Sequence, residues 1–186
     1  MCLKGLIFFM KKLLLVIITI IIMLVLYVNV NADEIVIPSS AIRFRVVANS
    51  NSIEDQSMKI KVRDYINEYL SVKMVDISDV EDANRVISDE INNINNGIEE
   101  LFEINNYNKD FSVYFGDTFF PKKIYKGINY EGGNYESLVI VIGNGKGDNW
   151  WCVLFPPLCL LDASESDIDD VEYQFFIKNL IKDIFE

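Results

Sequence analysis

The sequence predicts an α+β domain over residues 33–186, with a mainly antiparallel sheet of about five strands packed against three helices. An apolar signal or anchor segment over residues 1–32 precedes it. Three observations carry this. Apolar residues between Met58 and Phe102 recur at helical spacing; from Lys109 onward the spacing shortens to two, with short connections; and Leu13 to Ala32 contains no charged residue.

At the start of the chain, Lys4, Lys11 and Lys12 precede a run of Leu, Ile, Val and Met, the pattern of a positive n-region and an apolar h-region. Val30-Asn31-Ala32 offers small residues for cleavage after Ala32, and Met10-Lys11-Lys12 is an ordinary signal-peptide start, so Met1 and Met10 are both candidate start sites. Roughly 20 apolar residues also span a bilayer, so an uncleaved tether through residues 13–30 is the alternative. Either way the lysines stay inside and residues 33–186 lie outside the cytoplasm.

Ile42 to Ala48 reads as a strand with one buried face: Ile42, Phe44, Val46 and Ala48 on one side, Arg43, Arg45 and Val47 on the other. Asn49-Ser50-Asn51-Ser52 breaks it. Ser52 then caps a helix, with Asp55 at the third position of a capping box, and Met58, Val62, Tyr65, Ile66, Tyr69 and Leu70 carry the helix to about Leu70. Ser78-x-x-Glu81 is a second capping box, and Val80, Ala83, Val86, Ile87, Ile91, Ile94, Ile98, Leu101 and Phe102 follow at helical spacing. Asn92, Asn93, Asn95 and Asn96 fall on the outer face, where they weaken this helix without ending it.

Phe111, Val113 and Phe115 alternate before Gly116-Asp117, and Phe119–Tyr125 reads as a second short strand with Pro121 at an edge or bulge. Gly132-Gly133 marks a turn. Tyr135–Ile142 is the strongest strand, Gly143–Asn149 a glycine-rich turn, and Asn149–Phe155 the next strand. Both of these strands are apolar on both faces, which places their hairpin at the centre of the sheet. Pro156-Pro157 stops the chain from extending further as a ladder strand. Asp162–Asp170 reads as an acidic loop, and Ile168–Ile184 as a closing helix with Val171, Phe175, Phe176, Leu180, Ile181 and Ile184 inward.

The formal charge is −11, and removing a leader with three lysines and no acid takes it from −11 to −14. Such a domain repels nucleic acid and anionic membrane surfaces. The chain has no histidine, which excludes Ser-His-Asp and Cys-His mechanisms and His-ligated zinc. Carboxylate chemistry stays available, but Glu54-Asp55, Glu99-Glu100 and Asp169-Asp170 fall at helix starts or on helix surfaces, where capping and solvation account for them. The acids between Asp162 and Asp170 lack the spacing of a calcium loop. Gly143-Asn144-Gly145-Lys146-Gly147 fails as a phosphate loop, because Gly147-Asp148 and a strand follow the lysine in place of Ser or Thr and a helix. No catalytic residue, cofactor or metal is therefore expected. Cys152 and Cys159, in an exported setting, read as a disulfide or as two packed thiols.

What remains are contact residues. Arg43 and Arg45 read as local ion-pair partners of Asp64 or Glu68, or as partner contacts. Trp150 and Trp151 point to opposite faces of their strand, so one enters the core and the other meets a helix or emerges as an anchor. The candidate surface is Arg43, Arg45, Gly145, Lys146, Asn149 and the outward member of Trp150 and Trp151.

Several segments are distinctive together. They are Ile42-Arg43-Phe44-Arg45-Val46-Val47-Ala48-Asn49-Ser50, Glu54-Asp55-Gln56, Lys59-Ile60-Lys61-Val62-Arg63-Asp64 and Gly132-Gly133-Asn134-Tyr135-Glu136-Ser137-Leu138. The longest is Val141-Ile142-Gly143-Asn144-Gly145-Lys146-Gly147-Asp148-Asn149-Trp150-Trp151-Cys152-Val153-Leu154-Phe155-Pro156-Pro157-Leu158-Cys159. On these residues the chain resembles the stage II sporulation protein R family of endospore-forming bacteria, over nearly all of 35–160. The Asn-rich second helix, the tail around Ser164–Asp170 and the residues before Met10 depart from it. The resemblance implies an exported, non-enzymatic messenger, sent across the forespore membrane into the space between forespore and mother cell. There it would trigger a membrane-embedded sporulation aspartic protease that processes the precursor of sigma factor E. A carboxylate-dependent cell-wall hydrolase and a structural envelope protein are the alternatives.

Overall fold

The computed structural model describes residues 2–30, 37–125, 128–159, 177 and 179–184. It separates into two units, residues 1–34 and 35–186. The first is helix α1 (Cys2–Val30). Among the described residues no helix is long and apolar enough to cross a membrane, so the anchor expected over 13–30 is not seen as a span.

The second unit runs β1 (Ile42–Val47), α2 (Ile53–Lys73), α3 (Val80–Ile104), β2 (Phe111–Phe120), β3 (Lys123–Tyr125), β4 (Ile128–Tyr130), β5 (Gly133–Ile142) and β6 (Asn149–Phe155). Residues 177 and 179–184 are helical, in agreement with the closing helix; the rest of that stretch and the acidic loop lie outside the described residues. The α+β class holds, but the sheet is not the one expected. It has four strands in the order β2-β5-β1-β6, while β3 and β4 form a separate two-stranded sheet. β1 pairs parallel with β5, Arg43 opposite Ser137, and antiparallel with β6, Arg45 opposite Trp151.

The expected β5–β6 hairpin is therefore split by β1, and β6 is an edge strand. The reason is burial. Ile42, Phe44 and Val46 are fully buried, and Arg43 on the other face is 2% exposed, so β1 is covered on both sides and takes a central position. The parallel β1–β5 pair needs a long crossover, which α2, α3 and β2 supply.

Local boundaries follow the capping chemistry. Ser52 caps α2, its side chain accepting from the Asp55 N–H at 3.1 Å. The α3 cap is Asp79, one residue after the expected Ser78, and it accepts from the Asp82 N–H at 2.8 Å. A carboxylate there adds charge–dipole attraction to the hydrogen bond. Gly116-Asp117 does not end a strand: β2 runs unbroken from Phe111 opposite Ile142 to Phe120 opposite Gly133. Gly116 holds φ at 147°, which L side chains rarely adopt, and the ladder keeps its register through it. The break comes at Pro121 instead, where a ladder donor is missing.

The two helices cover one face of the sheet. Their residues Val62, Ile66, Leu70, Ile87, Ile94 and Ile98 pack with Phe44, Leu138 and Ile140 in the main core. Glu90 on α3 accepts from Tyr69 and pairs with Lys73 at 2.8 Å, joining the helices. Hydrogen bonds from Asn93, Lys73 and Tyr69 hold the Glu90 carboxyl at about 2. The opposite face carries a smaller cluster that includes Ile37, Ile128, Val153 and Leu158.

Candidate functional site

The second face of the sheet is built on Arg43. Strand alternation puts Arg43 and Arg45 on the side away from the helices, and the β5 register brings Tyr135 and Ser137 alongside. The Arg43 guanidinium lies 4.1 Å from the Tyr135 ring, 5.3 Å from that of Tyr130 and 5.9 Å from that of Phe120. Within this aromatic collar its Nε and Nη2 are buried and make no hydrogen bond, and no carboxylate among the described residues pairs with it. Burial lowers the Arg43 pKa, against the opposing effect of Tyr135. Arg45, half-buried, stacks 4.7 Å over Phe120 and is lowered by burial alone.

The ion pairs expected with Asp64 or Glu68 do not form for either arginine. Both residues are on α2, behind the sheet, and Asp64 pairs with its neighbour Arg63 at 2.6 Å. Strand register is not a local property of the sequence, so the residues facing away from the helices could not be named from it.

Trp150 and Trp151 do point to opposite faces, but neither emerges freely. Trp150 turns toward the helices, with its ring edge on Phe44 at 5.4 Å and Arg63 at 5.4 Å. Trp151 lies on the arginine face, edge-on to Phe120 at 5.7 Å, with Lys123 at 4.8 Å from its ring. Between Trp151, Tyr130 and the Pro121–Lys123 segment a cavity of about 450 Å³ opens, lined also by Arg43 and Asn149. Arg43, Arg45, Asn149 and Trp151 thus share one surface.

Gly145 and Lys146 do not join it. Residues 143–148 arch over the end of β1, since β5 and β6 flank that strand. The Lys146 N–H donates to the Asn49 carbonyl (3.1 Å) and the Gly147 N–H to that of Ala48 (2.9 Å). Asn144 N–H donates to Asn49 Oδ1 at 2.9 Å and Asp148 N–H to Asn51 Oδ1 at 2.6 Å. Gly143 and Gly145 hold φ of 53° and 60°, which L side chains seldom adopt.

Beneath the arch, Asp55 is the hub. It is 5% exposed, and its carboxylate accepts from Asn49 Nδ2 (2.8 Å), Ser50 Oγ (2.5 Å) and the Tyr107 hydroxyl (2.5 Å). Burial alone would raise this carboxyl, but the hydrogen bonds from Ser50, Tyr107 and Asn49 win and hold it at about 2. Tyr107 is driven far up by burial and by its bond to Asp55. The cluster fixes the loop between β1 and α2, and with it the arch.

Cys152 is half-buried and Cys159 buried on either side of the Pro156-Pro157 turn. Their Sγ atoms lie 3.6 and 2.9 Å from the same Val153 carbonyl oxygen, so the turn at Pro156-Pro157 does return one sulfur toward the other. Among the described residues no group of His, Cys, Asp or Glu is placed to hold a metal ion. Asp117 and Glu136 face each other across β2 and β5, and burial, then the Asp117 charge, raises Glu136.

Sequence reasoning missed Phe120, Tyr130 and Tyr135 as the collar of Arg43. The one available signal was the shared strand parity of Tyr135, Ser137 and Val139, which acquires meaning only once β1 is registered against β5.

A family model described as stage II sporulation protein R matches residues 38–165. A stage II sporulation protein R of Bacillus subtilis (strain 168) is 44% identical over 133 residues. The matched stretch is 72% of this chain and 59% of that relative, so the chain covers less than two thirds of the relative's length. No solved structure matches. The match embraces β1, the arch, both tryptophans and both cysteines, and on it this chain belongs to the stage II sporulation protein R family.

Proposed function

We propose that this protein is an exported intercellular signal of sporulation, which acts by contact on a membrane-embedded aspartic protease that processes the precursor of sigma factor E. The observation that carries the reading is family membership over residues 38–165. Two features of the chain support it. An apolar leader behind lysines suits translocation across the forespore membrane into the intermembrane space. The chain also lacks histidine, which leaves it poor in the groups that turnover chemistry uses. Cys152 and Cys159 would be joined as a disulfide in that oxidising compartment.

The Arg43, Arg45, Asn149 and Trp151 surface is the proposed contact. Rigid aromatic groups lose little freedom on docking and are favoured at interaction hot spots. The test is complementation of a sporulating host that lacks its own family member, with precursor processing read by immunoblot. The unaltered chain should restore processing. Trp151→Ala should fold and fail to restore it. Trp150→Ala should instead lose about 3 kcal/mol of stability, because it removes an aromatic packed on Phe44 beneath the helices. A folded Trp151→Ala chain with full processing would move the contact elsewhere. No processing by the unaltered chain would reject the signalling role.

A further inference from the structure

We propose that the free edge of β2 is a self-association site, at which two copies of this chain pair β2 against β2 as antiparallel strands about a two-fold axis. β2 ends the four-stranded sheet, and among the described residues only β5 pairs with it. It is ten residues long, and its register against β5 runs unbroken from Phe111 to Phe120. Exposed edges of soluble proteins are usually blunted by lysine, proline, a bulge or brevity. Phe111–Phe120 holds no lysine and no proline, and its one charge is Asp117. Tyr114 and Phe119 stand 52% and 62% exposed along it.

Ladder parity says which backbone groups are free. The Gly143 N–H donates to the Asp110 carbonyl at 2.7 Å, so the even-numbered residues of β2 turn their N–H and C=O toward β5. Those of Phe111, Val113, Phe115, Asp117 and Phe119 turn outward, as the donors and acceptors that an added strand takes. The residues of the edge select a second copy as that strand. A two-fold register centred on Phe115 sets odd-numbered residues against odd-numbered ones and uses nearly the whole strand. Phe111 then stands opposite Phe119 of the second copy, and Val113 opposite its Asp117. The two acids are thereby kept apart, where like charges directly opposite would be destabilising. Tyr114 falls opposite Gly116 of the second copy in a non-hydrogen-bonded pair, the kind in which side chains come closest, and the glycine leaves room for the ring. On the helix side, Phe111, Val113 and Phe115 are half-buried against the main core. They would meet their counterparts in one continuous apolar row, an isologous contact that closes on itself. The net acidity of the domain opposes the pairing, so association should strengthen as salt screens it.

The inference does not rest on the signalling reading, and its test needs no host. The purified full chain in zwitterionic detergent is diluted through a concentration series at low and high salt, and followed by sedimentation and by amide hydrogen exchange read residue by residue. A monomer–dimer equilibrium is expected, tighter at high salt. The Val113, Phe115 and Asp117 amides should gain protection as the dimer forms, while those of Tyr114 and Thr118, turned toward β5, stay protected throughout. Tyr114→Lys, at an exposed position, should weaken the dimer by roughly tenfold or more with an unchanged circular dichroism spectrum. Val72→Lys adds the same charge at an exposed position on α2 and should leave the dimer intact. Association through the leader would leave the odd-numbered amides unprotected, and would overturn the pairing. So would a monomer under every condition, full association of Tyr114→Lys, or odd-numbered protection already present in the monomer. Protection gained by a monomer only on adding envelope from sporulating cells would give the edge to a different protein, and would equally overturn self-pairing. None of these results bears on precursor processing, so the pairing and the signalling role fail independently.

Discussion

Asp55 shows how one side chain ties three parts of the domain together. Its carboxylate serves Asn49 and Ser50 in the loop after β1 and Tyr107 after α3. Asp55→Ala leaves the buried Tyr107 hydroxyl without an acceptor and should cost roughly 3 kcal/mol, measured by urea denaturation. The pH dependence has a definite sign. The folded carboxyl titrates at about 2, below its unfolded value, so its stabilisation is present at neutral pH and is lost as pH falls from roughly 4 through about 2. The unaltered chain should lose stability steeply in that window, and Asp55→Asn should flatten the profile there; parallel profiles would refute the assignment. The cysteines make a second prediction at this scale. Cys152 and Cys159 face one carbonyl, so protein recovered from the external side should yield a proteolytic peptide with the mass of the disulfide form. A dithiol mass would show that they serve as packed thiols. The Ser52 cap and the tryptophan parity were legible from the sequence because each depends on neighbours within a few residues. The partner of Arg43 was not, because it depends on which strand lies alongside.

Among the elements, β1 decides the most. Its six residues are buried on one face by helices and on the other by the aromatic collar. The arch over its end depends on Gly147, where a methyl group would sit 2.3 Å from the Ser50 carbonyl oxygen. Backbone cannot yield as a long side chain can. Gly147→Ala should therefore cost about 1–3 kcal/mol in thermal or urea denaturation, the range for overpacking. A variant as stable as the parent would mean that the arch is not held against the β1–α2 loop. The helices α2 and α3 were readable to within a few residues, since their apolar period and caps are local signals. Strand order was misread for an equally physical reason. Two apolar strands with a short glycine-rich connection satisfy the same local pattern whether they pair with each other or flank a third strand.

For the whole molecule, charge and the leader set the expectations. Replacing Ile18 and Ile21 with Lys places charges within the apolar segment, at ~2.5–3.5 kcal/mol each on insertion scales. The altered protein should stay in the producing compartment, and precursor processing should stop. External protein with normal processing would reject the leader.

By itself the sequence determined the α+β class, both long helices, the extent of β6, the absence of histidine chemistry and the family. These rest on period, composition and contiguous motifs, which need no knowledge of what folds against what. Tertiary structure alone decided that β1 lies between β5 and β6, that Arg43 sits inside aromatic rings with Nε and Nη2 buried, and that Trp151 borders a cavity while Lys146 does not. Each of these depends on strand register across long separations, and register is fixed by burying both faces of β1 at once, a condition that no local pattern contains.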